Sequence, residues 1–215
     1  QRLLITASGG PFLNFSEAQL ENVTIDHALK HPNYRMGPKV TIDSSTLMNK
    51  GLEMIEAHWL FEIPLKQIEV IVHPQQIIHS MVEFVDNSIL AQMGDPDMLV
   101  PIQYALTYPK RQKGSLQPFN FLQHNKLEFF LPDLNKFRCL KLAYDAISCG
   151  GSLPCFMNAA NEIFVQRFLN REISWNQISI SLEKLMNRHS AKPLHSIQDL
   201  LEVDQMAREE ARKLS

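Results

Sequence analysis

A proline-containing stretch at residues 109–132 divides the sequence into two parts that differ in hydrophobic periodicity. Before it, short β-branched runs alternate with glycine, proline and asparagine, which is typical of strands and their turns. After it, apolar residues recur three and four positions apart, which is typical of amphipathic helices. The sequence therefore predicts an α/β (α+β) catalytic domain with a mixed sheet at residues 1–108, a linker at 109–133, and a C-terminal α-helical bundle at 134–215.

The strands of the first part are predicted from β-branched runs bounded by turn residues. The predicted strands are residues 3–6, 39–43, 67–73, 77–84 and 89–93, with the last two forming a hairpin. The first strand leads into a glycine turn, and the second leads into hydroxyl residues at 44–46 that are predicted to cap a helix running to about residue 61. Because the chain opens inside a strand, we expect further residues upstream.

A long connection at residues 12–36 interrupts this pattern of strands. It carries only short helical patches, capped by Ser16 and Thr24, between prolines and asparagines. Long loops in compact domains are usually lids or binding segments, so we predict a lid here.

The second part is predicted to form four helices. Residues 137–149 end at a glycine pair, residues 154–169 follow, and Ser174 and Ser196 are placed to cap two further helices.

Composition excludes two classes of partner. The net charge of −2 and the pI near 6.5 show no basic surplus for nucleic acid. No apolar run approaches the roughly 20 residues that span a bilayer, and no export signal is visible. The three cysteines lack the spacing of metal ligands. We therefore expect a soluble protein that binds neither nucleic acid nor membrane.

Polar residues in this predicted helix and at its caps are the strongest candidates for chemistry. Asn49, Glu53 and Glu56 are spaced i, i+4, i+7 and so share one helical face, and Lys50 lies three residues before Glu53. Hydroxyl groups, Ser44 among them, precede them at the helix start, where free N–H groups favour an anion. We read this as a phosphate site with a carboxylate for a metal one turn further on. The alternative is a solvated helix face with a weak ion pair.

Three other positions carry weaker signals. The glycine turn after Ser8 would let backbone N–H groups approach a phosphate, although a conformational role explains it equally. His31 could contact substrate from the lid or could be a surface histidine. His73 and His79 lack a third ligand at metal spacing, which favours structural roles.

Several ordered motifs resemble those of the 1-deoxy-D-xylulose 5-phosphate reductoisomerases. They are ASGGPF at residues 7–12, HPN at 31–33, TIDSSTLMNKGLE at 41–53, HPQ at 73–75, LAQMG at 90–94 and NAANE at 158–162. The resemblance covers essentially the whole chain.

The resemblance implies a divalent-metal-dependent rearrangement of 1-deoxy-D-xylulose 5-phosphate, followed by hydride transfer from NADPH to give 2-C-methyl-D-erythritol 4-phosphate. It assigns phosphate binding to the positions Ser8, His31, Ser44, Asn49 and Lys50. It further assigns catalytic roles to Glu53, His31 and Lys50, and the binding of Mg²⁺ or Mn²⁺ to Glu53. Glu56 is expected to orient Glu53, and His79 to lie near the site.

The sequence departs from the pattern of the family in several respects. The lid aromatic, often tryptophan in the family, is Tyr34. The family's N-terminal nucleotide-binding domain is not among the 215 residues, nor are two of its three acidic metal ligands. The chain alone is therefore expected to be inactive.

The resemblance also implies an assembly and a location. Family members are homodimers that pair through the sheet domain, and they occur in the bacterial cytoplasm or the plastid stroma. The alternative is a non-catalytic phosphate-binding or dimerisation module.

Overall fold

The fold combines a four-stranded sheet with helices. It is known from a computed structural model, which describes residues 1–30 and 36–214. In chain order the first elements are β1 (Arg2–Ala7), α1 (Glu17–Leu20), α2 (Ile25–Ala28), α3 (Pro38–Thr46), α4 (Met48–Phe61), β2 (Ile68–Val72), β3 (Ile78–Glu83), β4 (Ile89–Met93) and α5 (Leu99–Thr107). The remaining helices are α6 (Arg138–Cys149), α7 (Leu153–Leu169), α8 (Trp175–Met186) and α9 (Ile197–Lys213).

The sheet is mixed, with strand order β2-β1-β3-β4. β1 runs parallel to β2 and antiparallel to β3, and β3 and β4 form the predicted hairpin. Residues alternate between buried and half-buried along β2, as expected for a strand with one face on the core. A sheet domain followed by a helical region confirms the predicted fold class.

The predicted strand at residues 39–43 is wrong, because this segment lies in α3. Gly37 and Pro38 begin a helix here, since proline is favoured in the first helical turn. The side chains of Thr41 and Ser45 donate hydrogen bonds to carbonyls of the same turn, at 2.9 Å and 2.6 Å, so the β-branched and hydroxyl residues are satisfied within a helix. Tertiary context thus overrides a local β preference.

The predicted helix that runs to residue 61 corresponds to α4, but the hydroxyl residues at 44–46 lie in a separate helix rather than at the cap. α3 ends at Thr46, Leu47 adopts a left-handed conformation with φ 58°, and α4 begins at Met48. The hydroxyl residues therefore end one helix rather than precede the next. Of them, Thr46 accepts a hydrogen bond from the backbone N–H of Met48 at 3.3 Å.

The C-terminal helices and their caps follow the prediction. Ser174 and Ser196 each form a capping box, with Gln177 and Asp199 respectively. Buried side chains of this part join those of the first part in one continuous hydrophobic core. The division at residues 109–133 stays a prediction. Within the described residues, no helix has the length and apolarity needed to cross a bilayer.

The predicted lid segment is anchored at its beginning. Phe12 is fully buried and its ring packs edge-on against that of Trp175, with 5.3 Å between centroids. Lys136 Nζ donates to the carbonyl of Leu13 at 2.7 Å. Ser16 and Thr24 cap the short helices α1 and α2, as predicted. Residues 31–35, which include His31 and Tyr34, lie outside the described part of the chain.

Candidate functional site

A cavity of about 700 Å³ opens between the end of β1, the junction of α3 and α4, the β3–β4 hairpin and α5. This volume suits a small phosphorylated molecule. The polar lining residues of the cavity include Thr6, Ser8, Ser44, Asn49, Lys50 and Glu53. Its apolar and aromatic lining residues include Met36, Met93, Met98, Val100, Tyr104 and Phe119.

The α3–α4 junction brings the predicted phosphate residues together. Ser44 lies in the last turn of α3, while Asn49 and Lys50 lie in the first turn of α4. The turn between them is closed by the N–H of Leu47, which donates to the Ser44 carbonyl at 3.3 Å. The start of α4 provides the positive end of the helix dipole, and the residues that were predicted for an anion site at one helix start lie instead on both sides of this junction.

The glycine turn packs directly against this junction. Gly10 has φ +67°, and a Cβ there would lie 2.7 Å from the Ser44 carbonyl oxygen. A side chain is therefore excluded both by conformation and by space. The Ser8 hydroxyl accepts a hydrogen bond from the Gly10 N–H at 3.1 Å and lies on the cavity wall. The turn thus has a conformational role and also places Ser8 beside Ser44.

Glu53 contacts two of the predicted phosphate residues. Asn49 Nδ2 donates to one carboxylate oxygen at 2.6 Å, and Lys50 Nζ lies 2.5 Å from the other. The Lys50 side chain is only 13% exposed, so its charge is directed into the site. Glu56 is exposed and is not a partner of Glu53, so the contacts give no support to its predicted orienting role.

Glu53 fits one part of a divalent-metal site. A carboxylate on a cavity wall is the kind of ligand that Mg²⁺ and Mn²⁺ prefer. However, the described residues contain no group of three or more acidic, histidine or cysteine side chains that could hold an ion. Among the residues that the structure describes, Glu53 is therefore a candidate for one ligand and not part of a complete site.

The two histidines near the sheet have different surroundings. His73 is fully buried: its Nδ1 lies 2.9 Å from the Glu128 carbonyl, and its Nε2 accepts the Ile77 N–H at 3.1 Å. These contacts confirm a structural role. His79 instead lines the cavity, and its burial lowers the pKa of its imidazole, which disfavours the charged form.

Sequence reasoning missed cavity residues from distant parts of the chain. Arg111 lies on the cavity wall with its guanidinium 4.3 Å from the centre of the Tyr104 ring. Gln76 and Asp95 also line the cavity. No local pattern marks these positions, because they approach the site only through the folding of the sheet and the irregular segment after α5.

Comparison with known proteins places these features in a family. Residues 93–210 match the family model for the DXP reductoisomerase C-terminal domain, and residues 1–61 match that for the 1-deoxy-D-xylulose 5-phosphate reductoisomerase C-terminal domain. The 1-deoxy-D-xylulose 5-phosphate reductoisomerase of Protochlamydia amoebophila is 60% identical over 213 residues, which is 99% of this chain and 56% of that protein. That of Acetivibrio thermocellus is 53% identical, over 96% of this chain and 54% of that protein.

Solved structures agree with the sequence matches. The Zymomonas mobilis reductoisomerase in complex with NADPH superposes with a TM-score of 0.91 at 45% identity, over 98% of this chain and 54% of that one. A reductoisomerase in complex with NADPH, fosmidomycin and magnesium also gives 0.91, at 41% identity, over 98% of this chain and 54% of that one. The chain spans about half the length of the relatives it matches. On these matches, the chain belongs to the 1-deoxy-D-xylulose 5-phosphate reductoisomerase family.

Proposed function

We propose that this chain supplies the phosphate-binding residues and one metal ligand of a reductoisomerase that converts 1-deoxy-D-xylulose 5-phosphate into 2-C-methyl-D-erythritol 4-phosphate. The observation that carries the proposal is the convergence of Ser8, Ser44, Asn49, Lys50 and Glu53 on one cavity. The relatives that match the chain carry the name of this activity. NADPH and a divalent ion are assigned to the full-length protein, since solved relatives are described with both.

The polar residues that line the cavity suit a phosphate monoester. Lys50 provides a positive charge, the hydroxyls of Ser8 and Ser44 and the Asn49 amide provide neutral donors, and the start of α4 adds its dipole. Asn49 and Lys50 both contact the Glu53 carboxylate. A phosphate would draw Lys50 and Asn49 toward itself, which would leave the Glu53 oxygens free to accept a metal.

The remaining roles follow from this placement. A bound divalent ion would act as a Lewis acid on the substrate's carbonyl and hydroxyl oxygens, with Glu53 as one of its ligands. The apolar residues that line the cavity would exclude water from the reacting carbons. We assign His31 to the phosphate, from a lid at residues 12–36 whose last residue, Met36, lines the cavity. The named relatives are bacterial, so we propose a cytoplasmic location and find no support for the plastid.

The alternative is that the 215-residue chain alone is a non-catalytic phosphate-binding or dimerisation module. Hydride transfer needs a bound nicotinamide, and a single carboxylate does not hold a divalent ion tightly. We therefore expect the isolated chain to bind phosphate without turnover. Activity assays of the isolated chain and of a full-length family member carrying it separate the two readings.

Phosphate binding tests the proposed site directly. Inorganic phosphate titrated into the ¹⁵N-labelled chain should shift the amides of Ser8, Ser44, Asn49 and Lys50. Lys50→Ala should weaken binding at least about tenfold, because a charge-assisted hydrogen bond to the anion is lost. Lys66→Ala is a matched control, since Lys66 is exposed and lies outside the cavity. Shifts confined to surface lysines, or equal effects of the two substitutions, would contradict the site.

We further propose that the protein is a homodimer that pairs through the sheet domain. β4 is an edge strand, and apolar side chains on β4 and α5 are exposed, including Ile89 (50%), Leu90 (68%) and Leu106 (82%). Exposed apolar patches of this kind usually mark protein interfaces. From the sequence, we place residues 68–73 and 77–84 nearest this interface. These residues correspond to β2 and β3, and β3 adjoins β4.

The dimer proposal predicts the effect of a charge at this edge. Leu90→Arg should raise the dimer dissociation constant at least about 100-fold, because it buries an unpaired charge at the interface. Light scattering after gel filtration measures the change. Leu201→Arg provides a matched control, since Leu201 is 54% exposed but lies on α9, outside the sheet domain. A monomeric starting protein, or a dimer unaffected by Leu90→Arg, would contradict the proposed surface.

A further inference from the structure

We propose that Asn161 of α7 and Trp175 of α8 are positioning residues for Ser44, so that the C-terminal helices set the geometry of the phosphate site. The inference rests on the proposed phosphate-binding role of Ser44. Neither Asn161 nor Trp175 lines the cavity, and each acts through a neighbour of Ser44.

Two buried hydrogen bonds bracket Ser44 in the sequence. Asn161 Nδ2 donates to the Asp43 carboxylate at 2.9 Å, and Trp175 Nε1 donates to the Ser45 hydroxyl at 2.8 Å. All four side chains belong to residues that are at most 5% exposed. The residues immediately before and after Ser44 are therefore each held by a different helix of the C-terminal part.

The backbone of this segment is confined on its other side as well. Gly10 packs so closely on the Ser44 carbonyl that a Cβ would lie 2.7 Å from its oxygen. The Ser45 hydroxyl accepts a hydrogen bond from Trp175 and also donates one to the Ile42 carbonyl at 2.6 Å. Trp175 of α8 is therefore linked to the backbone of α3 through the Ser45 hydroxyl. Ser44 can therefore move only if contacts from the glycine turn or from the two C-terminal helices are broken.

The chemistry of Asn161 favours positioning over stability as its role. Its Oδ1 is buried, and no donor among the described residues reaches it. Burial raises the pKa of Asp43, its partner, although Lys39 and Asn161 oppose this shift. A half-satisfied amide beside a buried carboxyl is costly compared with a packed apolar side chain. Such a pair is better suited to fixing the position of α3 than to adding stability.

The test compares phosphate affinity with thermal stability in the 215-residue chain. Trp175→Phe removes the indole donor and retains an aromatic ring against Phe12. Asn161→Leu removes the amide at similar volume. The control is Ser152→Ala, which breaks a partly buried contact inside the C-terminal part, where the hydroxyl of the fully buried Ser152 lies 2.8 Å from His189 Nε2. Dissociation constants for inorganic phosphate are measured by NMR well below each melting temperature.

We expect Trp175→Phe and Asn161→Leu each to weaken phosphate binding about three- to tenfold and to shift the Ser44 amide. Ser152→Ala should lower the melting temperature without changing the affinity. If Asn161→Leu does not fold, Ser45→Ala, which removes the acceptor of the Trp175 bond, takes its place. Wild-type affinity in the Trp175 variant and in the second variant, or an equal loss in Ser152→Ala, would overturn the inference.

A further variant separates failure of this inference from failure of the proposed function. Ser44→Ala removes the hydroxyl that is assigned to the phosphate. If Ser44→Ala leaves the affinity unchanged, the proposed phosphate site itself is wrong. If Ser44→Ala weakens binding while the Asn161 and Trp175 variants do not, only the positioning role is wrong.

Discussion

In a full-length family member carrying this sequence, Glu53→Gln is expected to lower kcat/KM at least about 100-fold at limiting metal. The substitution replaces an anionic ligand with a neutral amide of nearly the same shape, and hard divalent ions bind carboxylates far better than amides. The fold should be retained, because the Glu53 side chain is 38% exposed and the amide oxygen of glutamine can still accept from one of the two donors, Asn49 or Lys50.

Steady-state kinetics at several Mg²⁺ and Mn²⁺ concentrations measure this effect. The activity of the variant should recover in part at high metal, since the loss lies in metal affinity and in the polarisation that the ion provides. Glu56→Gln is the matched control, because it removes the same charge from an exposed position on the same helix. Near-normal activity of Glu53→Gln at limiting metal, or an equal loss in Glu56→Gln, would rule out the assigned role.

Gly51→Ala is expected to destabilise the chain by about 1–3 kcal/mol. Helix propensity alone predicts the opposite, a gain of about 1 kcal/mol, since Gly51 lies inside α4. The packing of α4 against α6 decides whether Gly51→Ala raises or lowers the free energy of unfolding. A Cβ at Gly51 would lie 2.4 Å from the Cβ of Ala143 on α6, and Ala143 is fully buried and has no flexible side chain to move away. α4 and α6 would have to separate, and α4 carries Asn49, Lys50 and Glu53.

A double-mutant cycle in urea unfolding tests this account. Ala143→Gly should be destabilising alone, through lost packing and helix propensity, but should restore much of the stability of Gly51→Ala when the two are combined. Gly94→Ala serves as a control, because a Cβ there meets no atom within 4 Å. Additive effects of the two substitutions at Gly51 and Ala143 would show that the helices are not in contact at this point.

The strands and capped helices could be predicted because their signals are local. The runs that form β1, β2 and the β3–β4 hairpin, and the serine caps at Ser174 and Ser196, are each complete within a few residues. The segment at residues 39–43 could not be predicted in this way. Its β-branched residues suit a strand, and the decision for a helix depends on Pro38 at its start and on buried contacts with α7.

Prediction of the site from the sequence is limited in the same way, because local patterns identify residues but not their arrangement. Ser8, Ser44, Asn49, Lys50 and Glu53 were all predicted, and all of them line one cavity. Their arrangement was not predictable, because it depends on a helix break at Leu47 that no local pattern marks. The contacts that hold Ser44 in place join residues 118 and 130 positions apart, which only the folded chain can bring together.

The proposed site can be tested by a crystal structure of a full-length family member carrying this sequence, with Mn²⁺ and a phosphonate ligand such as fosmidomycin. We expect the phosphonate oxygens to contact Ser8, Ser44, Asn49 and Lys50, and the anomalous signal of the metal to lie at bonding distance from a Glu53 oxygen. A phosphonate bound elsewhere in the cavity, or a metal held without Glu53, would contradict it.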